Sequence, residues 1–129
     1  MMHVLIPIDK EFKYLECKKL YEQNKVFVND DATFDEVINN TLFYSFYENE
    51  KLTLCVYFFE KNGKLWVNGF GKRKHHLFNK ECFKLALTWF NTDIWAFCPH
   101  SPAAFGLLSC GFKKYKKNLY RFKNKCNTY

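Results

Sequence analysis

The chain has 129 residues, of which 48% are hydrophobic and 20% aromatic, so it is long enough to bury a core and too apolar to be intrinsically disordered. No apolar run reaches the roughly 20 residues that cross a bilayer, and the N-terminus lacks the basic start of a signal peptide. The net charge is +7, yet residues 1–71 carry −3 and residues 72–129 carry +10. We therefore expect one cytoplasmic domain over residues 1–129 whose second half meets an anionic partner.

Hydrophobic periodicity and turn residues predict eleven elements in the order β-α-α-β-β-β-α-β-α-β-β. The strands are expected at about residues 2–8, 41–47, 52–60, 64–71, 92–97, 112–116 and 119–123, and the helices at about 10–23, 33–39, 80–90 and 103–109. This order predicts an α/β fold of the α+β type. Strands that alternate with helices in the second half imply a crossover and a locally parallel pair.

Local signals set several boundaries of these elements. Asn62–Gly63 is a strong signal for a two-residue hairpin, since both central positions of that turn need positive φ. Asp9, Asn79 and Ser101 are expected to cap the first, third and fourth helices. Gly111 is placed to end the fourth helix in the left-handed conformation.

The cysteines and histidines are not arranged as a metal site or a disulfide framework. There are six cysteines and no C-x-x-C pair, so buried reduced thiols are the expected state and no metal is predicted. Cys82 and Cys98 have histidines nearby in sequence, but both lie on predicted buried faces, which favours a structural role over nucleophilic catalysis.

Two features near the middle of the chain indicate a ligand. Gly69 and Gly71 lie inside a predicted strand, where glycine marks a bulge or a close approach by another backbone or a ligand. The basic run of residues 72–76 follows directly and leads into a helix, whose N-terminus attracts anions. Taken alone, the glycines fit a bulge without a ligand, and the basic run fits a solvated loop.

The C-terminal part carries the most specific resemblance to a known family. Residues 101–112 form an apolar helix that ends in Gly111–Phe112, and Tyr115 and residues 119–122 follow as a closing hairpin. Together with the element order, this segment resembles the GNAT superfamily of N-acyltransferases over nearly the entire chain. The resemblance implies a mixed, mostly antiparallel central sheet of about seven strands flanked by four helices. The short, lysine-rich sequence is similar to diverged members carried by tailed bacteriophages.

The resemblance implies a site for acetyl-CoA between strand 64–71, which splays away, and strand 92–97. It assigns the cofactor to Val67, Asn68, Gly69, Phe70, Gly71, Lys72, Arg73, Lys74, His75, His76, Asn79, Ser101 and Ala104. The sequence departs from the family pattern at three points. Residues 74–79 lack the glycines of the usual pyrophosphate loop, Leu107 replaces the tyrosine that often protonates the leaving thiolate, and Asn68 stands where a carboxylate often acts as base. His100, Asn68 and Tyr115 remain as catalytic candidates.

Three functions follow from these observations. The first is transfer of acetyl from acetyl-CoA to an amine acceptor. The second is a catalytically inactive protein of the same fold, acting in the host cytoplasm or the virion as a phage accessory protein that binds a phage or host protein. The third is nucleic-acid binding through the basic and aromatic residues after position 112. It ranks last, because those aromatics alternate as a strand facing the core would place them.

Overall fold

The computed structural model describes residues 2–5, 13–28, 31–99 and 101–124. Seven strands form one sheet in the order β1-β2-β3-β4-β5-β7-β6. The strands are β1 Met2–Leu5, β2 Leu42–Glu48, β3 Lys51–Lys61, β4 Lys64–Gly71, β5 Ile94–Phe97, β6 Lys113–Lys116 and β7 Leu119–Phe122. The helices are α1 Tyr14–Gln23, α2 Lys25–Val28, α3 Phe34–Asn40, α4 His76–Leu87 and α5 Ser101–Ser109. None of these helices is long and apolar enough to span a membrane.

Strands β2, β3 and β4 form an antiparallel meander with two tight turns. Asn62 and Gly63 have φ values of 55° and 73°, which confirms the two-residue hairpin predicted from the sequence. The turn between β2 and β3 also has two residues at positive φ, Asn49 and Glu50. β4 has the predicted bounds.

The second half of the chain supplies the crossover. β4 and β5 run parallel and are joined through α4, while the other five described strand pairs are antiparallel. β5 then pairs with β7 along its whole length, and β6 forms the edge of the sheet beyond β7. The α+β architecture with a seven-stranded, mostly antiparallel sheet is therefore confirmed.

The meander is buried on both faces, as the apolar character of its strands predicted. Val56 and Phe58 of β3 face one core with Leu87 of α4. Cys55 and Tyr57 alternate with them and face a second core, which α1, α2 and α3 cover. This alternation follows from the two-residue repeat of a strand, which directs successive side chains to opposite faces.

Several predicted boundaries differ from the structure. The first helix begins at Tyr14 rather than residue 10, with Lys13 at its N-cap position, while Asp9 lies outside the described residues. Residues 25–28, expected within a loop, form α2. α3 begins after Thr33, whose side chain accepts a hydrogen bond from the Glu36 amide in a capping box.

The cysteines behave as predicted in the part of the chain that is described. Cys17, Cys55, Cys82, Cys98 and Cys110 are all buried. Burial is the main cause that raises the pKa of Cys82 to about 12 and the pKa of Cys55 well above its usual value. Thiols of this kind stay protonated near neutral pH, so neither is a nucleophile. Cys126 lies outside the described residues.

Candidate cofactor site between β4 and β5

The parallel strands β4 and β5 separate soon after they begin. They pair at two positions only, Leu65 with Ile94 and Trp66 with Trp95. Beyond these pairs β4 continues to Gly71 and β5 to Phe97. The two strands therefore enclose a wedge that opens at their carboxyl ends, which we call the β4–β5 wedge.

The free backbone of β4 on the wedge side is set by the hairpin register. In an antiparallel pair, alternate residues direct their N–H and C=O groups toward the partner strand. The Lys72 amide still donates to the Thr53 carbonyl at 2.8 Å, so the backbone groups of Lys72 and of every second residue before it point toward β3. Val67 and Gly69 are the alternate residues of β4, so their backbone N–H and C=O groups point toward β5, into the wedge.

The same reasoning identifies Phe97 of β5 as the residue whose backbone faces the wedge from the other side. The Cys98 amide donates to the Asn118 carbonyl at 2.7 Å, so Cys98 faces the β7 side and Phe97 faces β4. Phe97 was not predicted as a site residue from the sequence. Its backbone orientation depends on the pairing of β5 with β7, which no local pattern reveals.

Asn68 binds two backbone groups next to the wedge. Its Nδ2 donates to the Val28 carbonyl of α2 at 2.9 Å, and its Oδ1 accepts from the Gly69 amide at 2.8 Å. The amide that faces the wedge at Gly69 is thus already bonded. Asn68 also ties α2 to β4, and its amide group does not titrate, so it cannot serve as the missing general base.

The two glycines of β4 are required by close contacts within the protein. A Cβ at Gly69 would lie 2.9 Å from the Cys55 carbonyl oxygen. A Cβ at Gly71 would lie 2.8 Å from Nδ2 of Asn79 and 3.0 Å from the Thr53 carbonyl oxygen. The predicted close approach is confirmed, and β3 and α4 account for it.

The side chains of Val67 and Phe70 point away from the wedge. Val67 is buried in the core on the α4 side and Phe70 in the core on the α1–α3 side. Of these two predicted site residues, only the backbone is available to a ligand.

The basic run forms a 3-10 turn at Arg73–His75 and the start of α4. Arg73, Lys74 and His76 are exposed, and Lys72 is half-buried. Nδ1 of His75 lies 3.1 Å from Oε1 of Glu48 on β2. Since β2 lies on the far side of β3 from β5, this contact turns the His75 ring away from the wedge.

Asn79 is not the cap of α4, which contradicts the prediction. α4 begins at His76, and Asn79 lies inside the helix, where its Nδ2 donates to the carbonyls of Thr53 and Lys72 at 3.0 and 3.1 Å. These bonds fix the helix N-terminus against the end of β4. Oδ1 of Asn79 is buried and has no protein partner among the described residues.

The remaining predicted site residues lie on α5 and around it. Ala104 and Leu107 are half-buried and pack on the α4-side core. α5 begins at Ser101, whose side chain is not among those described, and His100 lies outside the described residues. Tyr115 is 54% exposed on the edge strand β6, separated from β5 by β7.

The walls of the wedge carry almost no titratable side chain. Along β4 and β5 only Lys64 titrates, and it lies at the closed end. No group of three or more metal-binding side chains occurs in the described part of the chain. Two described cavities, of about 800 and 260 Å³, lie elsewhere, so the wedge is defined by unpaired backbone rather than by an enclosed pocket.

Comparison with known proteins identifies the fold. The chain is similar to an N-acetyltransferase from Staphylococcus aureus, with a TM-score of 0.70 and 14% identity over 95% of this chain and 97% of that one. The fold is that of the GNAT N-acetyltransferases. A Bacillus subtilis acetyltransferase in complex with CoA gives a TM-score of 0.67 at 10% identity, covering 95% and 99% of the two chains. A Streptococcus agalactiae acetyltransferase gives 0.64 at 17%, covering 95% and 98%.

Sequence comparison adds nothing to this assignment. No protein-family model matches the chain, and no curated protein matches it. The chain therefore has the GNAT fold although it shares only 8–17% of its residues with eight structural neighbours of that fold.

Proposed function

We propose that the chain binds acetyl-CoA in the β4–β5 wedge and transfers the acetyl group to an amine. The observation that carries this proposal is the separation of β4 from β5 after two residue pairs. Unpaired strand edges bind extended ligands through backbone hydrogen bonds. A Bacillus subtilis acetyltransferase of similar fold was crystallised in complex with CoA.

The residues present fit the two ends of this cofactor. The backbone groups of Val67 and Phe97 would hold the amide groups of its pantetheine arm, as an added strand would. The positive charges of Lys72, Arg73 and Lys74, together with the start of α4, would hold its phosphates. The cofactor would supply an activated acyl thioester.

Catalysis by this chain would depend on how it positions the thioester and the amine relative to each other. Leu107 is an apolar side chain that cannot protonate a thiolate, and the wedge strands carry no carboxylate or imidazole. Holding two reactants in the correct geometry can itself contribute about 7–11 kcal/mol to lowering a barrier. The amine would lose its proton to solvent, so we expect the rate to rise with pH toward the pKa of the acceptor.

A second candidate is a protein of this fold that binds partners without catalysis, acting as a phage accessory or virion-associated protein. The bond from the Gly69 amide to Asn68 favours it, because this bond removes one donor that a cofactor would use. Under this alternative, the wedge has lost part of its binding function.

Binding and turnover distinguish the two candidates. At acetyl-CoA concentrations about 100-fold above Kd, the bound state should be stabilised by about 2.7 kcal/mol, which raises Tm by several degrees. Calorimetry would give Kd, and thiol release with a panel of amines would report turnover. Binding with turnover supports the enzyme, and binding without turnover supports the second candidate. The absence of any Tm shift at millimolar acetyl-CoA would overturn acetyl-CoA binding.

Replacement of Asn68 directly tests the role of the hydrogen bond that its side chain accepts from the Gly69 amide. In Asn68→Ala the Gly69 N–H becomes free for the cofactor, and one hydrogen bond contributes about 0.5–1.5 kcal/mol. We expect acetyl-CoA to bind about 2- to 13-fold more tightly, although the lost bond to Val28 lowers Tm. Calorimetry and thermal unfolding of both proteins measure the two effects separately. Weaker binding in the variant would instead show that Asn68 holds the ligand.

A further inference from the structure

One face of the sheet, over β5, β7 and β6, is left uncovered by the helices of the described chain. The helices α1, α2 and α3 pack on the meander strands, and the core beneath them contains residues of β2, β3 and β4 but none of β5, β6 or β7. Ile94 and Ala96 of β5 point into the other core, so Trp95 between them points to the side without a helix, where neighbouring side chains leave it 8% exposed. This side of the sheet has no helix packed on it in the part of the chain described.

An aromatic row crosses this uncovered face. The rings of Trp66 and Trp95 have centroids 6.4 Å apart, and Tyr115 meets Trp95 edge-on at 5.0 Å. Tyr115 is 54% exposed although its strand was predicted to direct its aromatics into the core. Tyr120 and Phe122 of β7 do point into the core, as predicted. Tyr115 does not, because its strand β6 is the exposed edge of the sheet.

Cations surround the aromatic row. Nζ of Lys64 and the guanidinium carbon of Arg121 each lie 5.3 Å from the Trp95 ring centroid. All four residues of β6 are exposed, three of them lysines, and Lys117 follows them. We call the row and these cations the aromatic–cationic surface.

The segment of residues 93–124, which supplies most of this surface, carries one carboxylate, that of Asp93. The sequence contains no acidic residue after Asp93. Asp93 itself accepts hydrogen bonds from Nε of Arg121 at 2.9 Å and from the Asn124 amide at 3.2 Å. Burial raises the pKa of Asp93, but these bonds outweigh it and the pKa falls below its usual value. The surface is therefore complementary to a polyanion.

A cavity of about 800 Å³ adjoins the same residues. Leu87 and Phe122 supply apolar lining from the α4 side of the sheet, and Tyr115 supplies it from the opposite side, so the cavity lies around the β6 edge. Lys113, Lys114 and Lys123 supply charge. The cavity lies beside the start of β5, because Phe122 pairs with Ile94, whereas the wedge opens at the other end of that strand. An apolar cavity edged by cations suits a planar base that carries a phosphate.

We propose that the aromatic–cationic surface binds single-stranded nucleic acid. Unpaired bases would stack on Tyr115 and enter the cavity, while the lysines of β6 would contact phosphates. Aromatic stacking combined with a basic groove is the usual means of sequence-tolerant single-strand binding. A duplex offers no free base faces to Tyr115, so single strands are preferred. This surface does not depend on the β4–β5 wedge or on acetyl-CoA.

Fluorescence anisotropy with a labelled 15-nucleotide oligo-dT tests the proposal. In Tyr115→Ala we expect Kd to rise about 5- to 160-fold, because stacking on one aromatic contributes about 1–3 kcal/mol per base. In Lys113→Gln/Lys114→Gln/Lys116→Gln, the slope of log K against log salt should fall by about 2, since each phosphate contact contributes about 0.7. Tyr115 and these lysines are exposed, so both variants should fold, which circular dichroism would verify.

A matched control separates a specific surface from general positive charge. The variant Lys18→Gln/Lys19→Gln/Lys51→Gln removes the same charge from α1 and β3 and should retain the oligonucleotide affinity of the parent within about 3-fold. An equal loss in both lysine variants would overturn the proposal, as would unchanged affinity in Tyr115→Ala. Duplex binding as tight as single-strand binding, or the absence of binding at 50 mM salt, would also overturn it.

Discussion

Replacement of Lys72, Arg73 and Lys74 together by glutamine is expected to weaken acetyl-CoA binding by about 10- to 100-fold. The structure places Arg73 and Lys74 exposed on the turn before α4, beside Lys72 at the end of β4. Each exposed cation contributes up to about 1 kcal/mol to an ionic contact, and three of them would act on one pyrophosphate. Isothermal titration calorimetry of the variant and the parent measures the change in Kd.

The same calorimetry on Lys18→Gln/Lys19→Gln/Lys61→Gln provides the control, because Lys61 lies at the far end of β3 from this turn. This variant has an equal net charge but leaves the turn before α4 intact, so its Kd should stay close to that of the parent. If both variants lose affinity equally, the effect arises from overall charge. If neither loses affinity, the phosphates are not bound at this turn, although a cofactor could still occupy the wedge.

Phe58→Ala is expected to have the largest effect on stability. Phe58 is fully buried at the centre of the sheet, and its ring centroid lies 4.4 Å from that of Phe90. Removal of a buried phenyl group leaves a cavity and costs about 3–5 kcal/mol. That loss is a large part of the total stability of a domain, which is about 5–15 kcal/mol. Urea unfolding of the parent and the variant measures the difference in free energy.

Phe105→Ala is the matched control for this substitution. Phe105 lies on α5 and is 71% exposed, so the same chemical change should alter the free energy of unfolding by about 0.5 kcal/mol or less. Equal losses in the two variants would contradict the described core. A small loss in Phe58→Ala alone would show that the space around the ring collapses to fill the cavity.

Features that depend on neighbouring residues were predictable. The hairpin at Asn62–Gly63 and the exact extent of β4 follow from turn chemistry and strand alternation. Gly111 has a φ of 103°, as predicted for the end of α5. The order of helices and strands predicted the crossover and the parallel pair. Its resemblance to the GNAT fold then led to the correct architecture.

Features that depend on distant residues were not predictable. α4 begins at His76 rather than residue 80 because Asn79 bonds to the Thr53 carbonyl, 26 residues away in sequence. Tyr115 is exposed because β6 is an edge strand, although its sequence pattern resembles that of a covered strand. In both cases a tertiary contact, or the absence of one, overrode the local pattern.

The candidate site shows the same division. The sequence alone determined that glycines, a basic turn and a helix start follow one another at residues 69–76, since these are consecutive positions. The tertiary structure decided that β4 and β5 separate after two pairs and that Asn68 occupies the Gly69 amide. The free groups of a strand depend on which strands lie beside it, and that pairing joins segments far apart in the chain.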